Sequence, residues 1–238
     1  MRLDIYLVKY YNIQSRNKSY ELIKSKKIKI DGRFVTKPSF HIEKFDNRNV
    51  EILEDILYVS RASLKLKYFL EEIKDVEFKN KLVLDIGSST GGFTQVLLEY
   101  GIRSVTCVDV GSNQLHDVIR NNTKVIIQEN TDIRKFKSDF KYDIITCDVS
   151  FISIHNILEQ INALAKRDII ILFKPQFEVG VDVKRNRAGV VKDVGSIQRA
   201  KQYFLDQVFK LRWKLICSNM SQIEGKRGNI EELFYFKK

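Results

Sequence analysis

Residues 82–93 of this chain have the sequence Leu82-Val83-Leu84-Asp85-Ile86-Gly87-Ser88-Ser89-Thr90-Gly91-Gly92-Phe93. A short apolar run containing one acid leads into a turn of small residues, and an amphipathic segment follows over residues 93–100. This order predicts a buried strand, a tight loop and a helix, the arrangement that opens a nucleotide-type site in α/β folds.

The glycine loop differs from the two common phosphate-binding motifs. It does not match the dinucleotide fingerprint G-x-G-x-x-G, and it lacks the Lys-Ser or Lys-Thr pair of a P-loop. It therefore suits a ligand without phosphates that still approaches the backbone closely, which glycine permits. S-adenosylmethionine has these properties and is the predicted cofactor. A structural strand-turn-helix with no ligand remains the alternative interpretation of the loop alone.

Apolar strands alternate with helices from Ser60 onward. The sequence predicts five strands at residues 82–86, 105–110, 125–127, 142–147 and 169–173. Helices fall between strands, including residues 154–165 and 196–211, and two further strands at residues 215–220 and 230–236 close the chain. Near-continuous apolar strands joined by helices predict a parallel sheet covered on both faces. The result is an α/β fold typical of class I S-adenosylmethionine-dependent methyltransferases, Rossmann-like and mostly parallel, with a terminal antiparallel hairpin.

Residues 1–45 form a separate basic unit in this interpretation. They hold eleven Lys and Arg against four Asp and Glu, a surplus of seven within the net charge of +11 of the 238-residue chain. Two helices and a hairpin that turns at Asp31-Gly32 predict a small α+β domain. A strand and linker over 46–59 then precede the α/β domain over 60–238. The surplus indicates a polyanionic partner, although a lysine-rich proteome would leave the same excess.

Other features of the composition exclude several classes of protein. The longest apolar run, residues 169–173, is five residues long, against about 20 for a membrane-spanning helix. The cysteines Cys107, Cys147 and Cys217 are far apart and lack metal-ligand spacing, so we expect free thiols in a reducing compartment. The N-terminus does not resemble a signal peptide. We expect a cytoplasmic protein with no bound metal and no stable membrane association.

Charged residues stand at the predicted carboxyl ends of four strands, at Asp85, Asp109, Asp148 and Lys174. Ligands of open α/β sheets bind at that edge, so these side chains are predicted to share one site. Asp109 lies near the offset from Asp85 at which an acid accepts hydrogen bonds from ribose hydroxyls. Asp132, after the third strand, is a candidate for an adenine amino group. Each acid taken alone is equally compatible with a solvated loop residue.

Three further positions concern the floor of this site. Pro175 ends the fifth strand directly after Lys174, so the lysine is predicted to project into the site. If the last strand runs antiparallel, its beginning reaches the same edge and brings Glu231 toward Lys174. Lys65 lies in the first turn of the helix before the sheet, where a solvated lysine is the ordinary interpretation.

Five segments together resemble one known family: Tyr58–Leu66 (YVSRASLKL), Asp85–Phe93 (DIGSSTGGF), Cys147–Ser153 (CDVSFIS), Phe173–Gly180 (FKPQFEVG) and Lys226–Glu231 (KRGNIE). Their order resembles the hemolysin-A (TlyA) family of ribosomal RNA 2′-O-methyltransferases, whose catalytic domain is FtsJ-like. The N-terminal segments Arg2-Leu3-Asp4, Ser15-Arg16, Leu22-Ile23, Asp31-Gly32 and Lys37-Pro38-Ser39 resemble the αL RNA-binding domain of small-subunit ribosomal proteins.

This resemblance implies a function and a set of residues. The function is methyl transfer from S-adenosylmethionine to a ribose 2′-hydroxyl, of a cytidine, in the ribosomal RNA of assembled subunits. The implied catalytic tetrad is Lys65, Asp148, Lys174 and Glu231, although the adjacent Glu232 leaves the register open. The cofactor-binding residues would be Asp85, Gly87, Ser89, Thr90, Gly91, Gly92, Phe93, Asp109, Asp132 and Asp148. The RNA-binding residues would be Arg2, Arg16, Lys18, Lys24, Lys27, Lys29, Arg33 and Lys37.

The chemistry of that reaction assigns roles within the tetrad. A ribose hydroxyl is a poor nucleophile until its proton is removed, so positioning and base catalysis are needed. A lysine acts as a base where burial and a neighbouring cation favour its neutral form. We predict Lys174 as the base, Lys65 as the neighbouring cation, and the two carboxylates as groups that orient them. The alternatives are a non-catalytic RNA-binding assembly factor and a membrane-lytic protein.

Overall fold

In the computed structural model the chain divides into two units, residues 1–58 and residues 59–238. The structure describes residues 1–11, 13, 15–43, 48–53, 58–73, 76–225 and 227–238. Part of the predicted linker, residues 46–47 and 54–57, lies outside the described residues, as does Lys226 of the last family-like segment.

The first unit contains two helices and a small sheet. Its described elements are α1 (Leu3–Tyr10), α2 (Arg16–Lys24), β1 (Ile28–Ile30), β2 (Arg33–Phe34) and β3 (Val50–Ile52), with β1 paired antiparallel to both other strands. The Ser15 side chain accepts a hydrogen bond from the Lys18 backbone N–H and so caps α2. Asp31 and Gly32 have φ of +51° and +75°, as a type I′ turn requires. The predicted helix–helix–hairpin order is therefore present.

The second unit is an α/β structure. Its helices are α3 (Arg61–Glu72), α4 (Gly92–Glu99), α5 (Asp117–Arg120), α6 (Leu158–Leu164), α7 (Pro175–Glu178) and α8 (Val194–Lys210), and its strands are β4 (Leu82–Ile86), β5 (Ser104–Val108), β6 (Val125–Gln128), β7 (Tyr142–Cys147), β8 (Ala165–Phe173), β9 (Lys214–Met220) and β10 (Glu232–Lys237). Within the described residues the strand order is β6-β5-β4-β7-β8-β10-β9. The strands from β6 to β8 are parallel, and β10 is antiparallel to both of its neighbours. The predicted fold class is confirmed.

Several element bounds differ from the prediction. β8 begins at Ala165, which pairs with Tyr142 of β7, whereas the apolar periodicity predicts helix through that residue. The segment before β8 starts as a 3₁₀ turn over Ile154–Ile157 and becomes α-helical only at α6. Lys65 is the fifth residue of α3 and therefore lies in its second turn. Glu231 precedes β10 instead of belonging to it. Backbone pairing with a neighbouring strand decides where β8 and β10 begin, and side-chain periodicity does not report such pairing.

An aromatic cluster holds α8 against β8 and β10. The rings of Phe173, Phe204, Phe234 and Phe236 are buried, and their neighbouring centroids lie 5.4–6.1 Å apart. Large buried aromatic side chains contribute much of the stability of a core. This cluster therefore fixes the end of β8, from which Lys174 projects.

The three cysteines are free, as the sequence predicts, with Cys107 and Cys147 buried and Cys217 half-buried. Burial raises the thiol pKa of both Cys107 and Cys147, so neither forms a reactive thiolate at neutral pH. In the part of the chain that the structure describes, no helix combines the length and the apolar character needed to cross a bilayer.

Candidate active site

A cavity of about 670 Å³ opens at the carboxyl-terminal edge of the parallel strands. Its lining comes from the start of α3, the loops after β4, β7 and β8, and the segment before β10. The strand order reverses at β4, which lies between β5 and β7. Open α/β sheets bind their ligands at such a reversal.

The loop after β4 forms one wall of the cavity. Gly87 has φ of +75°, and a Cβ there would lie 2.7 Å from the Asp148 carbonyl oxygen. The position needs glycine for its backbone angle and for the close approach of two loops. A Cβ at Gly92 would collide with Ser60 Oγ at the start of α3. The lining residues of this loop are Gly87, Ser88, Ser89, Thr90, Gly92 and Phe93.

Lys174 and Asp148 form an ion pair at the ends of neighbouring strands. The Lys174 Nζ lies 2.5 Å from Asp148 Oδ1 and donates a hydrogen bond of 2.9 Å to Ser150 Oγ. The contact with Asp148 lacks the alignment of a hydrogen bond, so Oδ1 has capacity to accept one. Pro175 begins α7 directly after Lys174 and ends the strand there. Lys174 is buried, and both side chains line the cavity.

Lys65 and Glu231 form a second pair in the same cavity. Lys65 Nζ donates a hydrogen bond of 2.5 Å to Glu231 Oε2, across 166 residues of sequence. Gln176 Nε2 donates a hydrogen bond of 3.1 Å to the other carboxylate oxygen of Glu231. Glu232 accepts a hydrogen bond of 2.7 Å from Lys201 and does not line the cavity.

The register brings Glu231 to the predicted edge, although with a different partner. Glu232 pairs with Phe173, so Glu231 lies level with Lys174 on the neighbouring strand. An antiparallel last strand, as the sequence predicts, accounts for this proximity. The carboxylate nevertheless binds Lys65, because α3 places that lysine in the cavity and Lys174 is bound to Asp148.

Asp85 supports the cavity from below instead of lining it. It is completely buried, and its carboxylate accepts hydrogen bonds of 2.6 Å from Thr94 and 2.8 Å from Thr146. Burial raises the pKa of Asp85 to about 6. The residue connects β4, α4 and β7. Gly91, another predicted cofactor residue, also lies outside the lining and precedes α4 with a φ of +88°.

Asp109 and Asp132 also lie outside the lining. The Asp109 carboxylate accepts hydrogen bonds of 2.8 Å from the Ser89 backbone N–H and 2.7 Å from that of Gly111. It therefore joins the loops that follow β4 and β5. Asp132 forms an ion pair of 2.6 Å with Arg134, which holds the pKa of Asp132 at about 2.

Several lining residues are absent from the sequence-based set. Phe151 is 92% exposed and has φ of +66°, which is rare for a bulky side chain, and its ring centroid lies 5.3 Å from that of Phe177. Ser150 and Gln176 bind a lysine and a glutamate of the cavity. Three arginines, Arg61, Arg185 and Arg227, add positive charge to the lining. Four of these lining residues lie in the family-like segments 147–153 and 173–180, and that position in the motifs is the sequence signal that could have identified them: Ser150, Phe151, Gln176 and Phe177.

The cavity fits a nucleoside-type ligand without phosphates. Its volume of about 670 Å³ lies in the usual range of small-molecule sites. Ser88 Oγ and Gln176 Oε1 are buried and have no hydrogen-bond partner among the described residues. Buried polar atoms in native proteins are almost always hydrogen-bonded, so a ligand is expected to satisfy them.

The predicted RNA-binding residues lie on the surface of the first unit. Arg2, Arg16, Lys18, Lys24, Arg33 and Lys37 are exposed, and Lys27 and Lys29 are half-buried. The Asp4 side chain, only 2% exposed, accepts a hydrogen bond of 3.0 Å from Arg2 Nε and one of 2.8 Å from Arg16 Nε. One buried carboxylate thus holds two exposed guanidinium groups side by side.

The sheet order, with its antiparallel β10, and the glycine loop at the carboxyl edge are those of a class I methyltransferase fold. The chain belongs to the FtsJ-like methyltransferase family, whose model matches residues 58–238. The S4 domain model matches residues 1–47. These matches confirm the enzyme class and both halves of the resemblance that the sequence motifs indicate.

Two curated relatives match nearly the whole length of the chain. It is 46% identical to the 23S rRNA (cytidine-2′-O)-methyltransferase TlyA of Campylobacter jejuni, with 100% of both chains covered. It is 34% identical to Hemolysin A of Brachyspira hyodysenteriae, with 99% of each covered. A crystal structure of a candidate hemolysin from Lactococcus lactis superposes with a TM-score of 0.72 at 35% identity, covering 76% of this chain and 88% of that one.

Proposed function

We propose that this protein transfers a methyl group from S-adenosylmethionine to the 2′-hydroxyl of a cytidine ribose in the ribosomal RNA of an assembled subunit. The observation that carries the proposal is the presence of two buried lysines, each bound to a carboxylate, in the cavity that the glycine loop lines. The family supports the reaction type. The name of the Campylobacter relative supports the acceptor, a cytidine 2′-O position of 23S rRNA.

The loop after β4 is the proposed cofactor-binding element. Gly87 lets the loop pack against the Asp148 backbone, Gly92 lets it pack against the start of α3, and Ser88 offers an unpaired buried hydroxyl. Asp109 holds this loop to the next one and is the candidate for the ribose hydroxyls. Asp85 keeps the loop in place from beneath. When bound, S-adenosylmethionine supplies a methyl group that its sulfonium has already activated for transfer.

Lys174 is the proposed base for the acceptor hydroxyl. Asp148 and Ser150 fix the direction of its Nζ, which is the geometric requirement for a proton acceptor. Because Lys174 is ion-paired with Asp148, its ammonium group must first release a proton to the solvent in the open cavity. The amine that results then accepts the proton of the acceptor hydroxyl at Nζ. The ammonium group formed there is stabilised by the Asp148 carboxylate at 2.5 Å.

Lys65 and Glu231 are proposed to orient the acceptor ribose. Glu231 is held from two sides, by Lys65 and by Gln176, so its carboxylate has one position in the cavity. Lys65 keeps two N–H donors beyond its bond to Glu231, and these are available to ribose oxygens. Fixed donors of this kind convert a bound hydroxyl into a correctly aligned nucleophile.

Phe151 is proposed to contact the acceptor base. A ribose within folded RNA becomes accessible only when its nucleotide leaves the stack, and extruded bases stack on aromatic side chains. Phe151 is exposed at the cavity in an uncommon backbone conformation, beside the ring of Phe177. Such strain persists where function requires the geometry.

Residues 1–45 are the proposed RNA-binding domain, joined by a linker over 46–59 to the catalytic domain over 60–238. The exposed basic residues of the first unit supply phosphate contacts, which position a protein on RNA without reading its sequence. The S4 domain match over residues 1–47 supports this assignment. Because its substrate is a ribosomal subunit, the enzyme is proposed to act in the cytoplasm.

The deciding experiment is methyl transfer from labelled S-adenosylmethionine to unmodified ribosomal subunits, followed by mapping of the modified nucleotide. We expect label in one or both subunits at a ribose 2′-oxygen. Binding of subunits without any transfer would instead establish the assembly-factor alternative.

A further inference from the structure

The turn that presents Phe151 is fastened at both ends to one short segment. On one side, Ser150 Oγ accepts a hydrogen bond of 2.9 Å from Lys174 Nζ. On the other, Ser153 Oγ donates a hydrogen bond of 2.7 Å to Glu178 Oε2. Lys174 precedes α7 and Glu178 is its last residue. The residues on either side of Phe151 are therefore both hydrogen-bonded to the short segment that contains α7.

Glu178 makes a further contact that fixes the far end of this turn. Its Oε1 accepts a hydrogen bond of 3.0 Å from the Ile154 backbone N–H. Both carboxylate oxygens are thus bound to consecutive residues, Ser153 and Ile154. The side chain is only 1% exposed, and it does not line the cavity.

Burying this carboxylate is costly, and its bonds offset part of that cost. Burial raises the pKa of Glu178, while the bonds from Ile154 and Ser153 oppose the rise. The nearby His155 Nε2, at 3.7 Å, makes no hydrogen bond to it. Because each carboxylate oxygen binds a different residue of the turn, Glu178 fixes the position of Ser153 and Ile154, which an apolar side chain of the same size could not do.

We propose that Glu178 is a positioning residue that holds the 150–153 turn so that the Phe151 ring meets the base of the acceptor nucleotide. The inference rests on the proposed function, because the ring needs an RNA base to contact. Glu178 acts through Phe151 and does not itself touch the substrate. It links the two motif segments that carry Asp148 and Lys174.

A double-mutant cycle on the full-length protein tests this route. Glu178→Gln keeps the size of the side chain but replaces one acceptor oxygen with a donor. We expect kcat/KM for the subunit to fall about tenfold, the usual scale for a buried hydrogen-bonding group left unmatched. In a Phe151→Ala background the same change is expected to cost less than about twofold, because the ring that Glu178 positions is gone. Binding of S-adenosylmethionine, measured by calorimetry, should be unchanged.

Two controls keep the result interpretable. Glu159→Gln removes an exposed carboxylate from α6 and should leave kcat/KM unchanged. If Glu178→Gln does not fold, Ser153→Ala is taken through the same cycle. It removes the hydrogen bond to Glu178 Oε2 and also the 3.3 Å bond that Ser153 Oγ accepts from the His155 backbone N–H.

The outcomes separate this inference from the proposed function. Wild-type protein that methylates no subunit overturns both. An active wild type whose Glu178 variant keeps full activity overturns only the inference. So does a Glu178 variant that loses the same factor with and without Phe151, because that result shows a general structural effect.

Discussion

Glu231 and Glu232 are consecutive residues whose carboxylates bind lysines of different helices. Glu231 binds Lys65 of α3 at 2.5 Å, and Glu232 binds Lys201 of α8 at 2.7 Å. Neighbouring side chains of an extended segment point in opposite directions, so only Glu231 reaches the cavity. The chain therefore contains two chemically matched pairs, one inside the proposed site and one outside it.

Comparing these two pairs tests whether Glu231 takes part in methyl transfer. Glu231→Gln should lower kcat about 100-fold, because Glu231 is proposed to orient the acceptor ribose and a small misplacement of a reacting group costs about that much. Glu232→Gln should change kcat less than about threefold while lowering the melting temperature, because it leaves Lys201 without its partner. Steady-state methylation of subunits, with thermal unfolding as the second measurement, checks both. Equal losses of kcat would contradict the assignment of Glu231.

Lys174→Met should abolish methyl transfer while the affinity for S-adenosylmethionine stays within about threefold, since a base acts on the acceptor hydroxyl. Lys201→Met is the matched control, because it removes a lysine from a similar ion pair outside the cavity. Single-turnover transfer and calorimetric titration of the cofactor are the measurements. Turnover by Lys174→Met at a neutral pH would remove Lys174 from the mechanism.

Asp109→Ala should weaken cofactor binding about tenfold or more, because charge-assisted hydrogen bonds are the strong ones and this carboxylate makes two of them between loops. Asp132→Ala is the comparison, because Asp132 also lies outside the cavity lining but does not hold the loop after β4. Its ion pair with Arg134 occupies the carboxylate that the sequence offered as a candidate for the adenine amino group. We expect the affinity of that variant to be nearly unchanged. Calorimetry gives the dissociation constant of S-adenosylmethionine for each variant. Identical values for the two variants would refute the role of Asp109.

Asp85 should make stability fall as the pH rises from about 4 to about 6. Its pKa is about 6 in the folded chain against an ordinary value of 3.8. Between these values the folded state binds more protons than the unfolded state, so the free energy of unfolding decreases with pH. The full change is about 3 kcal/mol for two pKa units. Above about pH 7, where Asp85 is ionised in both states, this contribution is constant.

The variant Asp85→Asn does not titrate and should lack this decline. Urea unfolding followed by fluorescence of Trp213, the single tryptophan, gives the slope for both proteins. Parallel curves between pH 4 and pH 6 would show that Asp85 has an ordinary pKa.

Asp4→Asn should weaken RNA binding although it removes a negative charge. The carboxylate holds Arg2 and Arg16 in fixed positions, and its loss frees both guanidinium groups to move. We expect a fall in affinity of about fivefold and a shallower dependence on salt, since fewer phosphates are contacted at once. The control Glu21→Gln removes an exposed charge from the same unit and should bind RNA slightly more tightly or equally. A tighter complex with Asp4→Asn would contradict the proposal that Asp4 holds Arg2 and Arg16 in position for RNA.

Most of the architecture follows from local patterns in the chain. The bounds of β4 and β7 agree with their apolar runs, and the cap at Ser15 and the turn at Asp31 follow from side-chain chemistry. These features depend on neighbours in sequence. The start of β8 at Ala165 does not, because it is decided by pairing with Tyr142 on another strand.

The site divides in the same way. Positions at strand ends, such as Asp148 and Lys174, can be read from the alternation of strands and helices. The partner of each lysine cannot, because the choice of Glu231 for Lys65 depends on where α3 lies across 166 residues of chain. Phe151 was missed because its exposure arises from a loop conformation. No periodicity encodes it.

Because β10 lies between β8 and β9, this edge of the sheet can form only after β10 has been synthesised. β9 has no partner in the described sheet except β10, and Glu231 directly precedes β10. While the ribosome is still making the chain, β9 has nothing to pair with and Lys65 has no carboxylate. The centre that is proposed to modify ribosomal RNA is therefore incomplete until β10 has been synthesised, and we expect a nascent chain to gain activity only after that strand has paired with β8 and β9.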